Sequence, residues 1–318
     1  MGTADLAAVR FGISPGHELA HAVRALLRPH AFPLQWGWLT VAQRLRRVEE
    51  FDLLADVIGA QGYLPDFLTP APTGDMTLDR ELVLLLDVPL DHIARDLGKM
   101  VDRSSGARRE RLLRLQANPA DARQQINEWC SVVWDHLVAP FWPQIQRLAR
   151  ADINVRARRS ADEGLAAMIA TLHSTVSWSE HSVVVATQFF SDTVDCAGTG
   201  LMLVPSVMME HDGCAVITER PATPIVIYPA HGVTEGWHLA ARSHETAMAK
   251  LLGAGRSRLL SAVRQPLTTS EAAAQCDLAP ATASHHLAVL RDAGLIDSRR
   301  EGQRVLHTLT PIGQALAR

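Results

Sequence analysis

From Pro15 to about residue 172 apolar positions recur every three or four residues, as at Leu19, Val23, Leu26 and Leu27, and this spacing predicts a mainly helical stretch. Clusters of Pro and Gly interrupt it. The clearest runs from Gly62 to Gly74, where Pro65, Pro70 and Pro72 predict a loop of turns and extended pieces. Two arginine-rich segments follow, Arg103 to Arg114 and Arg147 to Arg159, which are expected as solvated helix faces. After residue 176 the period changes. Ser182 to Thr187, Gly200 to Pro205, Ala215 to Glu219 and Pro224 to Tyr228 are short, β-branched or apolar, and separated by Gly, Asp or Pro. They predict a small antiparallel sheet. His231 to His244, with two glycines, reads as a connector.

Between residues 268 and 294 the pattern is that of two short helices around a tight turn. Thr268 and Glu271, three residues apart, form the signature of a capping box that starts the first helix. Ala273 is small enough to let a second helix cross closely, Asp277 tolerates the left-handed conformation of a turn, and Pro280 suits a first helical position. In the second helix Ala283, His286, Leu287 and Leu290 recur at helical spacing and are expected to face the core. Ala281, Thr282, Ser284 and His285 are left outward as a reading face. Gly294 ends the helix, and Leu295 with Ile296 begins a strand. The run Ser298-Arg299-Arg300-Glu301-Gly302-Gln303-Arg304 reads as a hairpin with arginines around a Glu-Gly turn, and Val305 to Leu309 as its return strand. A helix of this size fits a DNA major groove, and a basic hairpin suits phosphates or the minor groove. The expected fold class is therefore α+β: a mainly helical N-terminal domain with a small antiparallel sheet, then a C-terminal winged helix-turn-helix. The expected domains are 1–240, helical over 1–176 and β-rich over 177–230, and 245–318.

Charge sharpens this division. The net charge of the 318 residues is −3, which alone argues against a nucleic-acid partner. From residue 245 onward, however, nine Lys and Arg stand against six Asp and Glu, leaving 22 against 28 upstream. The positive part coincides with the two-helix pattern. Apolar residues make up 47% of the chain, so a packed core is expected. No stretch of eighteen apolar residues and no basic leader with an apolar run occurs, and the four cysteines, Cys130, Cys196, Cys214 and Cys276, form no CxxC pair. A cytoplasmic protein without membrane segments is expected. Cys196 and Cys214 lie beside neighbouring predicted strands, where a disulfide is conjectural, and Cys276 falls at a core position.

The runs Arg258-Leu259-Leu260, Ser284-His285-His286-Leu287, Leu290-Arg291-Asp292-Ala293-Gly294-Leu295 and Arg299-Arg300-Glu301-Gly302-Gln303-Arg304-Val305 are contiguous and specific. Over residues 249–317 they make the chain resemble the ArsR/SmtB family of bacterial winged-helix repressors. The resemblance implies that Thr282, Ser284 and His285 contact bases or nearby phosphates, and that the wing, with Arg299, Arg300, Gln303 and Arg304, contacts the backbone. It also implies a homodimer paired through the helix around Ala247 to Val263. Two departures matter. Ala279 stands where the family often has a capping Ser, and Glu271-Ala272-Ala273-Ala274-Gln275-Cys276 replaces the paired-cysteine metal box of metal-sensing members. Metal sensing at that position is not expected. Upstream, Val9-Arg10-Phe11-Gly12-Ile13-Ser14, Gly62-Tyr63-Leu64-Pro65-Asp66-Phe67-Leu68-Thr69-Pro70 and Leu203-Val204-Pro205-Ser206 resemble the long N-terminal region, of undefined function, attached to some actinobacterial members of that family.

Two features compete for attention. His17-Glu18-Leu19-Ala20-His21 is a literal HExxH, which in a zincin binds Zn²⁺ through both histidines and uses the Glu as base. Arg24 occupies the position of the metzincin glycine, however, and a helix face carrying the motif by chance accounts for it. The aromatic group Trp129, Trp134, Phe141 and Trp142, with Asp135 and His136 as polar handles and Trp36 and Trp38 nearby, could wall an effector pocket or simply fill a core.

The resulting expectation is a dimeric, non-enzymatic transcriptional regulator, most simply a repressor. It would need no cofactor, bind double-stranded DNA at an inverted repeat, and be tuned by a small-molecule effector upstream. The alternatives are a zinc hydrolase built on His17, Glu18 and His21 with a DNA-binding tail, and an effector-free DNA-bound scaffold.

Overall fold

The computed structural model describes every residue except 46–47, 71, 73, 187–192, 219–222, 234–243, 264–265, 302–303, 311, 314–315 and 317–318. The chain divides into two compact units, Met1–Trp237 and His238–Arg318.

In chain order the first unit contains α1 (Thr3–Ala7), β1 (Arg10–Phe11), α2 (Pro15–Leu27), α3 (Trp36–Leu45), α4 (Glu49–Ile58), α5 (Leu78–Asp87), α6 (Leu90–Asp102), α7 (Gly106–Ala117), α8 (Pro119–Leu137), α9 (Trp142–Glu163) and α10 (Leu165–Ile169). The strands β2 (Val176–Ser179), β3 (Ser182–Val185), β4 (Met202–Ser206), β5 (Ala215–Ile217) and β6 (Ile225–Pro229) follow. Helix α2 is buried on nearly every side. Ser14 caps it by accepting from His17 N at 3.2 Å, and Pro15 takes the first helical position, where its missing N–H leaves no bond unmade. Its Arg24 fork donates to the carbonyls of Gly59, Gly62 and Tyr63, which satisfies the backbone leaving α4 and fixes the start of the Pro-rich loop. Asp96 of α6 holds the same loop, accepting from Tyr63 Oη at 2.8 Å and Asp66 N at 3.0 Å.

The α+β class stands, but the sheet of the first unit is mixed rather than wholly antiparallel. Its strand order is β1-β4-β6-β5, with β1 and β6 both parallel to β4 and only β5 antiparallel. The physical reason is visible in β4, whose five residues are all buried. A strand covered on both faces reads as a continuous apolar run, which marks a parallel rather than an alternating antiparallel strand. Strands β2 and β3 form a separate antiparallel hairpin. Among the described residues no helix is long and apolar enough to cross a membrane.

The second unit runs α11 (His244–Leu252), α12 (Ala254–Ala262), β7 (Leu267–Thr268), α13 (Thr269–Gln275), α14 (Pro280–Asp292), β8 (Ile296–Glu301) and β9 (Arg304–Leu309). Leu259, Leu260 and Val263 of the α12 region, Ala272, Ala273 and Cys276 of the α13 region, Ala283, Leu287 and Leu290 of α14, and Leu295 with Ile296 make its core. The strands form an antiparallel sheet in the order β7-β9-β8.

Candidate nucleic-acid interface

Helix α13 starts on a reciprocal cap: Thr268 N donates to Glu271 Oε2 at 2.8 Å, and Glu271 N donates to Thr268 Oγ1 at 3.3 Å. The turn that follows places Asp277 at φ 51°, and Leu278 N donates back to Ala273 O at 2.9 Å. Pro280 then opens α14, with Ala279 as an N-cap that makes no side-chain bond. Ala273 and Ala283 are both buried, so the small residues lie inside the two-helix unit as a close crossing requires. Gly294 at φ 70° ends α14, and Thr310 Oγ1 donates to its carbonyl at 2.7 Å.

With Ala283, Leu287 and Leu290 inward, Ala281, Thr282, Ser284 and His285 are exposed along the opposite face of α14. His286 departs slightly from its expected core position: it is half-buried, and its Nε2 lies close to Gly255 of α12, where a Cβ would come within 3.0 Å. A glycine there gives the imidazole its space. On the hairpin, Arg299 pairs with Leu306 and Arg300 with Val305, and both arginines are exposed on opposite faces of the ribbon. Glu301 pairs with Arg304 near the tip, which places the backbone of Arg304. Gln303 and the side chain of Arg304 lie outside the described residues. Thr282, Ser284 and His285 thus share one helix face, while Arg299 and Arg300 sit on a separate basic ribbon of the same unit.

One residue escaped the sequence reading. His307, in the return strand, is buried against Thr269 and Ser298. Its signal was the alternation of β9: a histidine on the inward side of a strand must find polar partners.

The upstream candidates are placed differently. Trp134 is buried and meets Trp142 edge-on, with ring centroids 5.0 Å apart at 63°, while Trp129, Phe141 and Trp142 pack partly buried against the same core. Asp135 and His136 do not join them. Both are exposed, and His136 Nδ1 donates to Val132 O of its own helix at 2.8 Å. Consecutive helical residues diverge by about 100°, so Trp134 inward turns the polar pair away from the aromatic core. Trp38 is buried with Nε1 donating to Leu137 O, and Trp36 is exposed.

The HExxH segment is fully enclosed. Glu18 accepts from Val207 N at 2.7 Å, Met208 N at 2.8 Å and Ser206 Oγ at 3.1 Å, tying α2 to the end of β4. Its carboxylate is committed to the backbone rather than poised beside a water. Burial pushes Glu18 up to about 7 and His17 down to about 3, and holds His21 well below the usual histidine range. Among the described residues neither ring nitrogen of His17 finds a hydrogen-bond partner. Among the described residues no group of three His, Cys, Asp or Glu side chains is arranged to hold a metal ion. Nearby, Glu81 of α5 accepts from Gly16 N at the start of α2, and burial pushes it up to about 7. It lines a cavity of about 20 Å³ with Leu19, Leu68, Leu82 and Cys130, space for about one water. All four cysteines, including Cys196 and Cys214, are free thiols.

Residues 256–299 match the sequence model of a family described as a helix-turn-helix domain. No curated protein and no solved structure matches the chain. The C-terminal unit carries a helix-turn-helix domain, the architecture of a DNA-binding regulator.

Proposed function

We propose that the protein is a homodimeric transcriptional regulator of the ArsR/SmtB type, a cytoplasmic repressor whose operator binding is modulated by a small molecule acting on the first unit. The observation that carries it is the division of α14 into a buried Ala283-Leu287-Leu290 face and an exposed Thr282-Ser284-His285 face, beside a hairpin presenting Arg299 and Arg300. The matched family is one found in ArsR-type regulators. The dimer follows from the ArsR/SmtB resemblance, which pairs the helix around Ala247 to Val263; Leu251 within that stretch is 72% exposed. Two copies would set two α14 helices into successive major grooves of an inverted repeat, with half-sites about one helical turn apart. An effector that favours one arrangement of the heads changes DNA affinity by the same factor as DNA changes effector affinity. The reading assigns no catalytic step, bound metal or cofactor to the chain.

Selection of bound sequences from a random duplex pool, followed by titration of the winner at several salt concentrations, tests it. His285→Ala is expected to cost about 1–3 kcal/mol and relax discrimination at one base position, and Arg300→Ala to weaken all sequences alike and flatten the salt slope by about 0.9. An intact chain that retains no duplex at low salt, or a pair of variants that bind as wild type does, would overturn the reading face. Stabilisation in a thermal-shift screen separates an effector-responsive regulator from a scaffold without an effector.

A further inference from the structure

His307 is the one buried histidine of the second unit among the described residues, only 5% exposed. It occupies the middle of β9, the central strand of the sheet, opposite Leu267 of β7 on one side and Ser298 of β8 on the other. Both ring nitrogens meet hydroxyls: Nε2 lies 2.9 Å from Thr269 Oγ1, and Nδ1 lies 2.8 Å from Ser298 Oγ. A neutral imidazole offers one donor and one acceptor nitrogen, and a hydroxyl complements either. Burial first, and then the charge of Arg291 on α14, hold the ring below the ordinary histidine range, which favours that neutral form at pH 7. Thr269 is the first residue of α13, and Ser298 lies on the outgoing strand of the wing. The three groups therefore form a continuous polar link from the helix pair, through the centre of the sheet, to the basic hairpin.

The link sits where the hairpin needs bracing. Strand β7 pairs with β9 only at Leu267↔His307 and Thr268↔Leu306, whereas β8 and β9 run on as a two-stranded ribbon through Arg300↔Val305 to Glu301↔Arg304. A two-stranded ribbon twists more freely than a three-stranded sheet and is marginally stable alone. The angle at which it leaves the sheet decides whether its arginines reach phosphates on the same duplex that α14 reads.

We propose that His307 is a positioning residue for DNA recognition, which locks the basic hairpin to the first residue of α13 through Ser298 and Thr269. This rests on the DNA-binding reading above. It makes no contact with DNA itself; it sets how many wing contacts form.

The test is fluorescence anisotropy of the full chain with a mixed-sequence duplex of about 30 base pairs at a series of salt concentrations, since phosphate contacts are sequence-independent and each contributes about 0.9 to the slope of log K against log salt. His307→Phe fills the ring's volume but leaves both hydroxyls unpartnered. It is expected to weaken binding about tenfold at low salt and to lower the slope by about 2, the loss of the wing contacts. His307→Gln keeps one N–H donor and one carbonyl acceptor, and is expected to restore affinity to within about twofold and to recover the slope. Should His307→Phe fail to fold, Ser298→Ala and Thr269→Val cut the link separately on its two sides, and each is expected to lower the slope. Absence of wild-type binding would overturn the DNA reading together with this role. Wild-type binding with an unchanged slope in folded His307→Phe, or in both single-side variants, would overturn the positioning role alone, as would a His307→Gln chain that behaves like the Phe variant.

Discussion

Glu18 of the first unit closes a contact across 190 residues of sequence, onto Met208 N, whereas Thr268 and Glu271 of the second close theirs across three. The contrast extends through both units. Among the described residues the first buries Asp5, His17, Glu18, His21, Glu81, Asp96, Asp152 and Arg156, while the second buries no charged group beyond the titratable His307. One unit is knitted by buried acids, Glu18, Glu81, Asp96 and Asp152, whose partners lie far along the chain; the other rests on caps, small residues at a helix crossing and an aliphatic core. Buried charges are costly to leave unpaired and respond to pH, and caps are neither. The two units should therefore break in different ways.

The largest expected effect is at Asp152 of α9. It accepts from Tyr228 Oη at 2.9 Å and from His231 N at 3.2 Å, and pairs with buried Arg156 at 3.5 Å. Arg156 also donates to Thr171 Oγ1 at 2.7 Å. Asp152→Ala strands a buried guanidinium and two donors at once, so it should destabilise the first unit by about 3–5 kcal/mol. All seven tryptophans precede residue 238, so a urea titration followed by tryptophan fluorescence reports the first unit. A loss below about 1 kcal/mol would show that the network does not hold α9 to β6.

Next comes pH. Glu18 and Glu81 are raised to about 7 from 4.5, so their stabilising contribution is full below pH 4.5 and is lost as pH rises to 7. His17 is lowered to about 3 from 6.5 and His21 falls well below it, so theirs is full above pH 6.5 and is lost as pH falls. Between pH 4.5 and 6.5 unfolding releases protons from the two acids and takes them up on the two histidines, and the contributions cancel. The stability of the first unit from these four groups should be flat in that window and fall below it. Glu81→Gln removes one compensating acid, and stability should then drop by about 1.4 kcal/mol for each pH unit descended across the window. A variant with the wild-type profile would mean that Glu81 is ionised in the folded chain at pH 5.

The same contrast decides what the sequence discloses. Thr268 with Glu271, Asp277, Pro280 and Gly294 act on backbone within a turn or two of themselves, so their spacing alone places α13, the turn and α14. Residues 206–208 carry no mark that they will receive Glu18, and HExxH spacing, which needs only one helix face, suggests a metal where the structure has a backbone clamp. The antiparallel expectation held for β5 on β6 and for the β2–β3 hairpin but not around β4, whose parallel neighbours are β6 and β1, the latter two residues long and almost two hundred residues away in sequence. In the aromatic group the spacing identified the core correctly but not the side to which Asp135 and His136 turn. His307 was hidden because its partners, Thr269 and Ser298, are joined only by strand register.

The smallest expected effect probes the local side. Thr268→Ala removes the acceptor for Glu271 N but leaves Glu271 Oε2 able to accept from the residue 268 amide, so half the box survives. The loss should be about 1 kcal/mol, the usual range for a threonine cap. It should appear as faster amide hydrogen exchange through α13, with the tryptophan transition unmoved. Because Thr269, the neighbour of this cap, anchors the link to His307, a frayed start to α13 should also loosen the wing, lowering the salt slope of DNA binding without altering base preference. A change in base preference with the slope intact would instead tie the cap to the orientation of α14. The hydroxyl at 268 would then matter through the helix crossing at Ala273 and Ala283 rather than through the wing.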